Sequence, residues 1–159
     1  MMSEPSHFSR ILVATDGSDG ATTALRAAID LAAQARADLV VLNVFERDES
    51  SFIHAPDLSE LGGDQGGEGN DKESGSRTIL GEAKAIVDEC PGVSASFVFL
   101  EGDVTREILR CAAEMQADLI VLGRSGRSRI VGLVLGSVSQ KVVSLAPKPI
   151  LIVPPASNG

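Results

Sequence analysis

The sequence predicts a three-layer α/β domain, a parallel sheet of five strands with four helices covering both faces. Three observations predict it. Short apolar runs of strand length alternate with segments whose apolar residues recur at helical spacing, and such alternation implies parallel pairing through right-handed crossovers. Hydrophobic residues make up 43% of the chain while aromatics make up only 3%, with no Trp and no Tyr, so the core is aliphatic, as suits strands buried on both faces. The length, 159 residues, fits one domain with a core of its own.

The elements follow in order. Ile11-Leu12-Val13-Ala14 is a buried strand that ends in the turn sequence Thr15-Asp16-Gly17-Ser18. Ser18 or Asp19 caps the first helix, whose apolar face is Ala21, Ala24, Leu25, Ala28 and Ala32. Residues 39–45 form the second strand. Residues 46–76 then lose all periodicity and are rich in Gly, Asp, Glu and Ser; they read as a mobile acidic loop within the single domain 1–159. Helical spacing resumes at Ile79, Leu80, Ala83, Ile86, Val87 and Cys90, and Pro91-Gly92 stops it. Residues 93–100 form the third strand. Asp103 caps a third helix carrying Val104, Ile108, Cys111, Ala112 and Met115. Leu119-Ile120-Val121-Leu122 is the fourth strand and runs into Gly123. A glycine-rich loop leads to a fourth helix opening near Gly136 or Ser137, with Val138, Val142 and Leu145 as its stripe. Pro147 and Pro149 bracket its end before the last strand, Ile150–Val153.

Charge and composition narrow the function. Twenty-two acidic against 14 basic residues give a net charge of −8, which opposes nucleic acid and anionic lipid. No apolar run is long enough to span a bilayer, and the polar stretch 1–10 has no apolar leader core, so a cytoplasmic location is expected. Cys90 and Cys111 form no Cys-x-x-Cys pair and read as free thiols in a reducing compartment. His7 and His54 are isolated and build neither a zinc site nor a triad. Asp57, Ser59, Gly62 and Glu68 approximate a calcium loop, but Leu61 stands where an oxygen ligand is required.

Open parallel sheets bind ligands beyond the carboxyl ends of their strands, where strand order reverses. Two such ends carry suitable sequence: Thr15-Asp16-Gly17-Ser18 and Gly123-Arg124-Ser125-Gly126. Gly123 and Gly126 allow a ligand close to the backbone. Gly136-Ser137-Val138 opens a helix whose first N–H groups can hold phosphate, and Arg124, Arg127 and Arg129 supply positive charge. A glycine loop held by its own turns competes with phosphate binding on these features alone. No Gly-Lys-Ser or Gly-Lys-Thr P-loop and no Gly-x-Gly-x-x-Gly fingerprint is present.

Gly123, two residues, Gly126, nine residues and Gly136-Ser137 together resemble the nucleotide-binding pattern of the universal stress protein family. The resemblance extends to residues 11–18, to Glu101-Gly102-Asp103 and to Pro149-Ile150-Leu151-Ile152-Val153-Pro154, and covers about residues 10–154. It implies a doubly wound, Rossmann-like sheet in the order 3-2-1-4-5, which sets the first and fourth strands side by side. It implies ATP or another adenine nucleotide as ligand, with Mg²⁺ or Mn²⁺ bridging the phosphates. Asp16, beside Ala14 and Thr15, matches the nucleoside-contacting aspartate, and Val44 matches the position whose backbone meets adenine. Gly123, following Leu122, matches the approach to ribose. Gly126, Gly136, Ser137 and Val138, with Arg124 and Arg127 on the same loop, match the phosphate-binding set. Each position also has a plainer structural role to weigh against this: Asp16 as an Asx-turn or helix cap, Val44 as core, Ser137 as an N-cap. The resemblance further implies a homodimer through residues 150–153 and an unnamed protein partner. The expected function is a nucleotide-dependent regulatory module. A weak ATPase or autokinase and a nucleotide-free adaptor are the alternatives.

Overall fold

The computed structural model describes residues 8–46, 68–124 and 135–156. The strands are β1 (Arg10–Ala14), β2 (Asp38–Phe45), β3 (Ala95–Glu101), β4 (Leu119–Gly123) and β5 (Ile150–Val153). The helices are α1 (Asp19–Ala35), α2 (Glu68–Asp88), α3 (Val104–Glu114) and α4 (Ser137–Leu145). All strand pairs are parallel, in the order β3-β2-β1-β4-β5. This is the doubly wound arrangement expected.

Strand residues alternate between two cores. Ile11, Val13, Leu39, Val41, Leu119 and Val121 face α1 and α2, where Ala24, Leu25, Ala28, Ala83 and Val87 meet them. Leu12, Val40, Leu42, Ile120 and Leu122 face α3 and α4, against Ile108, Cys111, Ala112 and Val142. The central strands carry apolar residues at nearly every position because both faces are covered. Cys90 packs against the first core and Cys111 lies in the second, so the sheet separates the two thiols. Burial pushes the Cys111 thiol above its ordinary pKa and keeps it protonated.

The expected loop 46–76 needs correcting at its far end. Residues 47–67 lie outside the described residues, but α2 begins at Glu68, so 68–76 is helical. The inner stripe of α2 runs Ser76, Ala83, Val87, with Ser76 3% exposed. Among the α2 residues whose side chains are described, 74 onward, the first buried position is therefore a serine, which a search for apolar spacing passes over. Once the Leu80–Val87 turns dock on the sheet, extending the helix backward costs little per residue, even through Gly75. Smaller differences lie nearby: Cys90 falls just past the end of α2, and β3 runs from Ala95 to Glu101.

At the amino ends of the strands, side chains tie the chain together. The Asp118 carboxylate accepts N–H bonds from Ser9 (2.7 Å) and Arg10 (2.9 Å). Arg10 in turn donates to the Met115 carbonyl (2.6 Å) and sits 3.5 Å from Asp38. Among the described residues no helix is long and apolar enough to cross a membrane.

Candidate functional site

The order β3-β2-β1-β4-β5 makes β1 the strand at which the winding reverses. Register pairs β1 with β2 on one side and β4 on the other. The segments leaving β1 and β4 therefore diverge to opposite faces and leave a crevice above them.

The turn after β1 is built by its own side chains. The Asp16 carboxylate accepts from the Ser18 N–H at 2.9 Å, an Asx-turn. Gly17 has φ 80°, which only glycine adopts without strain. Ser18 caps α1, its Oγ accepting from the Ala21 N–H at 3.2 Å. The plainer role considered for Asp16 is thus real, and it fixes the carboxylate at the rim of the crevice. From β2, the Asn43 amide donates to the Thr15 carbonyl at 2.8 Å and ties that turn to the sheet.

The segment after β4 is shaped by a close approach. A Cβ on Gly123 would lie 2.9 Å from the Gly20 carbonyl oxygen and 3.1 Å from its carbon, both backbone atoms of α1. Glycine at 123 is therefore required for α1 to seat on β4. The Gly123 carbonyl accepts from Ser139 Oγ at 2.8 Å, and the Gly136 N–H donates to the Arg124 carbonyl at 2.8 Å. These two bonds return the chain to the sheet at the start of α4, with residues 125–134 between them.

Helix α4 opens differently from its neighbours. Gly136 is its N-cap and makes no side-chain capping bond, whereas Ser18 caps α1 and Asp103 caps α3 through the Arg106 N–H. The first intrahelical bond of α4 is Gln140 N–H to the Gly136 carbonyl, 2.9 Å. The N–H groups of Ser137, Val138 and Ser139 precede it and have no helical acceptor. With the helix dipole they make a favourable place for an anion.

These elements enclose a cavity of about 570 Å³, within the roughly 300–1,000 Å³ of small-molecule sites. Of the residues singled out from sequence, Ala14, Thr15, Asp16, Val44, Leu122, Gly123, Gly136, Ser137 and Val138 line it. Arg124 is not among the lining residues; its exposed side chain flanks the site while its N–H donates to the Val153 carbonyl at 2.9 Å. Gly126 and Arg127 lie outside the described residues. The lining also includes Asn43, Phe45 and Glu46 from β2 and its end, Gly75, Ser76 and Ile79 from α2, and Val104, Ile108 and Ser139. Sequence reasoning missed these. For α2 the serine-led stripe hid the signal, while Asn43, a polar residue inside an apolar strand, was a signal that could have been used.

Chain and fold both have known relatives. The universal stress protein family model matches residues 7–154. Universal stress protein YxiE of Bacillus subtilis is 35% identical over 154 residues, covering 92% of this chain and 99% of the relative. A universal stress protein family structure from Burkholderia pseudomallei is 32% identical, with TM-score 0.66 over 96% of this chain and 100% of that one. A universal stress protein solved in complex with cAMP is 26% identical, with TM-score 0.67 over 94% of this chain and 98% of its own. The sequence, the 3-2-1-4-5 sheet and these relatives agree, and the chain belongs to the universal stress protein family.

Proposed function

We propose that this protein binds an adenine nucleotide, ATP in the first instance, and acts in the cytoplasm as a nucleotide-dependent regulatory module. The observation that carries this reading is the N-terminus of α4. It has no side-chain cap, and its first residues line the cavity together with the turn after β1. The relative solved with cAMP supports an adenine nucleotide as the ligand class.

The residues present fit such a ligand. Gly136, Ser137 and Val138 would hold phosphates through backbone N–H groups and the Ser137 hydroxyl, with Arg124, Gly126 and Arg127 on the same loop. Leu122 and Gly123 would border the ribose. Ala14, Thr15 and Asp16 would meet the nucleoside, and the Val44 backbone the base. Mg²⁺ or Mn²⁺ would be carried largely by the phosphates. Nucleotide occupancy would change the surface that the protein offers to a protein partner, to the extent that ligand affinity differs between its conformations.

Thermal melting with and without ATP and Mg²⁺ tests this. At ligand one hundred times above Kd, binding adds about 2.7 kcal/mol to stability. An upward shift of Tm that Gly126→Val diminishes is expected; no shift at millimolar ATP contradicts the reading. The same proposal includes a homodimer through β5, which is an edge strand of the sheet and offers its outer backbone for pairing. Light scattering should give twice the chain mass, and a monomer at micromolar concentration would count against it.

A further inference from the structure

The cavity straddles the carboxyl edge of the sheet, and strand alternation assigns its walls to two sides. Ala14, Val44 and Leu122 turn toward α3 and α4 with the second core. The nucleotide proposed above uses that side, together with the rim at Thr15 and Asp16. Asn43 and Phe45 alternate with Val44, so their side chains turn the other way, toward α1 and α2. On that side the wall is completed by Ala21 of α1 and by Gly75, Ser76 and Ile79 of α2. The reading above gives this α2 side of the cavity no ligand.

Ser76 is the polar group of this compartment with capacity to spare. It is 3% exposed, and its hydroxyl has no hydrogen-bond partner among the described residues. A helical Ser or Thr commonly bonds back to the carbonyl one turn earlier. Thr78 does so with Ser74 at 3.0 Å and Ser144 with Gln140 at 2.9 Å, but Ser76 does not. The buried oxygen that is closed off without a partner is Asn43 Oδ1; the Ser76 hydroxyl is not closed off and opens on the cavity that Ser76 lines. A buried polar group left in this condition calls for a partner from outside the chain. Gly75 beside it leaves room, because a Cβ there would meet nothing within 4 Å.

The chemistry of the wall defines the occupant. Ala21, Phe45 and Ile79 are apolar, and the Phe45 ring is held flat by stacking on Phe99, centroids 4.9 Å apart. The Asn43 amide is committed to the Thr15 carbonyl at 2.8 Å. No wall residue here carries a charge to pair with an ion, which would be desolvated without compensation, and Glu46 at the mouth repels anions. We propose that this compartment is a second binding site, for a small uncharged aromatic molecule with one hydrogen-bonding group. The ring lies among Ala21, Phe45 and Ile79, and the polar group pairs with the Ser76 hydroxyl, which both donates and accepts. The sheet edge stands between the two compartments, so this ligand and the nucleotide are held at the same time. The proposal goes beyond the nucleotide reading and does not depend on it.

The test is titration of phenol and of toluene into the ¹⁵N-labelled protein, as wild type, Ser76→Ala and Gly75→Leu, with far-ultraviolet spectra confirming each fold. Phenol should shift the amides of Ala21, Phe45, Ser76 and Ile79 saturably in wild type. Ser76→Ala should weaken phenol by about fivefold and leave toluene, which has no hydroxyl, unchanged. Gly75→Leu places a side chain in the compartment while favouring the helix, and it should abolish the shifts by both probes. Saturating ATP and Mg²⁺ should leave phenol affinity in wild type unchanged. The proposal is overturned if phenol gives no saturable shifts in this compartment at millimolar concentration, or if Ser76→Ala weakens both probes equally or neither. Displacement of phenol by ATP also overturns it and assigns the compartment to the nucleotide. If ATP fails to bind, the nucleotide reading falls while the phenol and toluene titrations still decide this one.

Discussion

The two ends of the sheet handle their polar groups in opposite ways. At the amino ends, the Asp118 carboxylate accepts two backbone N–H groups and Arg10 reaches both Met115 and Asp38, so donors and acceptors are matched within the chain. At the carboxyl ends, α4 starts without a side-chain cap and Asn43 keeps a buried oxygen without a partner among the described residues. The turn after β1 lies at this end too, yet it follows the rule of the other end, with Asp16 and Ser18 each accepting a backbone N–H. The contrast separates a fixed rim from an open one. On the proposed reading, the β1 turn would position the ligand's surroundings, and the start of α4 would leave hydrogen-bonding capacity for the ligand itself.

The comparison can be broken most forcefully at Gly123. Its missing Cβ is what lets the Gly20 carbonyl approach β4, and the obstruction would be backbone, which cannot turn aside. Gly123→Ala should cost about 1–3 kcal/mol in urea denaturation. A neutral result would mean that the glycine serves the ligand alone.

Gly136→Asp sharpens the contrast, because it gives α4 the kind of cap that α1 and α3 already have. Stability should rise by a few tenths of a kcal/mol. ATP affinity should fall at least about tenfold, since a carboxylate would compete for the N–H groups and repel phosphate. Opposite signs in the melting and binding measurements are the diagnostic result. Ser18→Ala tests the fixed rim. It should cost about 1 kcal/mol in stability through loss of the α1 cap.

Asp118 tests the far end, with a pH signature. The Ser9 and Arg10 N–H groups hold its carboxyl below the ordinary carboxylate value. A depressed folded pKa means that the stability it supplies is complete above the unfolded value, about 3.9, and is lost as pH falls through the lower folded value. Asp118→Ala should therefore be less stable than wild type at pH 7. The gap should narrow below about pH 4 in denaturation series, while nucleotide binding at pH 7 stays unchanged.

Much of this was legible in the sequence because the relevant signals are local. Aliphatic runs at 11–14 and 119–122, glycine at 17 and serine at 18 each specify one feature of strand or turn. The caps at Ser18 and Asp103 follow from residue type alone. Residues 68–76 are not legible as helix, because their helicity depends on docking against the sheet and the buried position described among them is Ser76. Asn43 and Phe45 are not legible as cavity residues for another reason. Each is compatible with an ordinary strand, and only their meeting with Phe99 and Thr15 across the sheet gives them a place in the cavity. In sequence Gly123 reads as room for a ligand, and three-dimensional packing shows that its missing Cβ is room for α1.

The central claim is that the N–H groups opening α4 hold the phosphates of an adenine nucleotide. Amide resonances of the ¹⁵N-labelled protein, followed while ATP and Mg²⁺ are added, test it most directly. The account predicts saturable shifts at Ser137, Val138 and Ser139, together with residues of the turn after β1, at one nucleotide per chain. Absence of shifts at millimolar ATP, or shifts confined to residues outside the cavity, would contradict it.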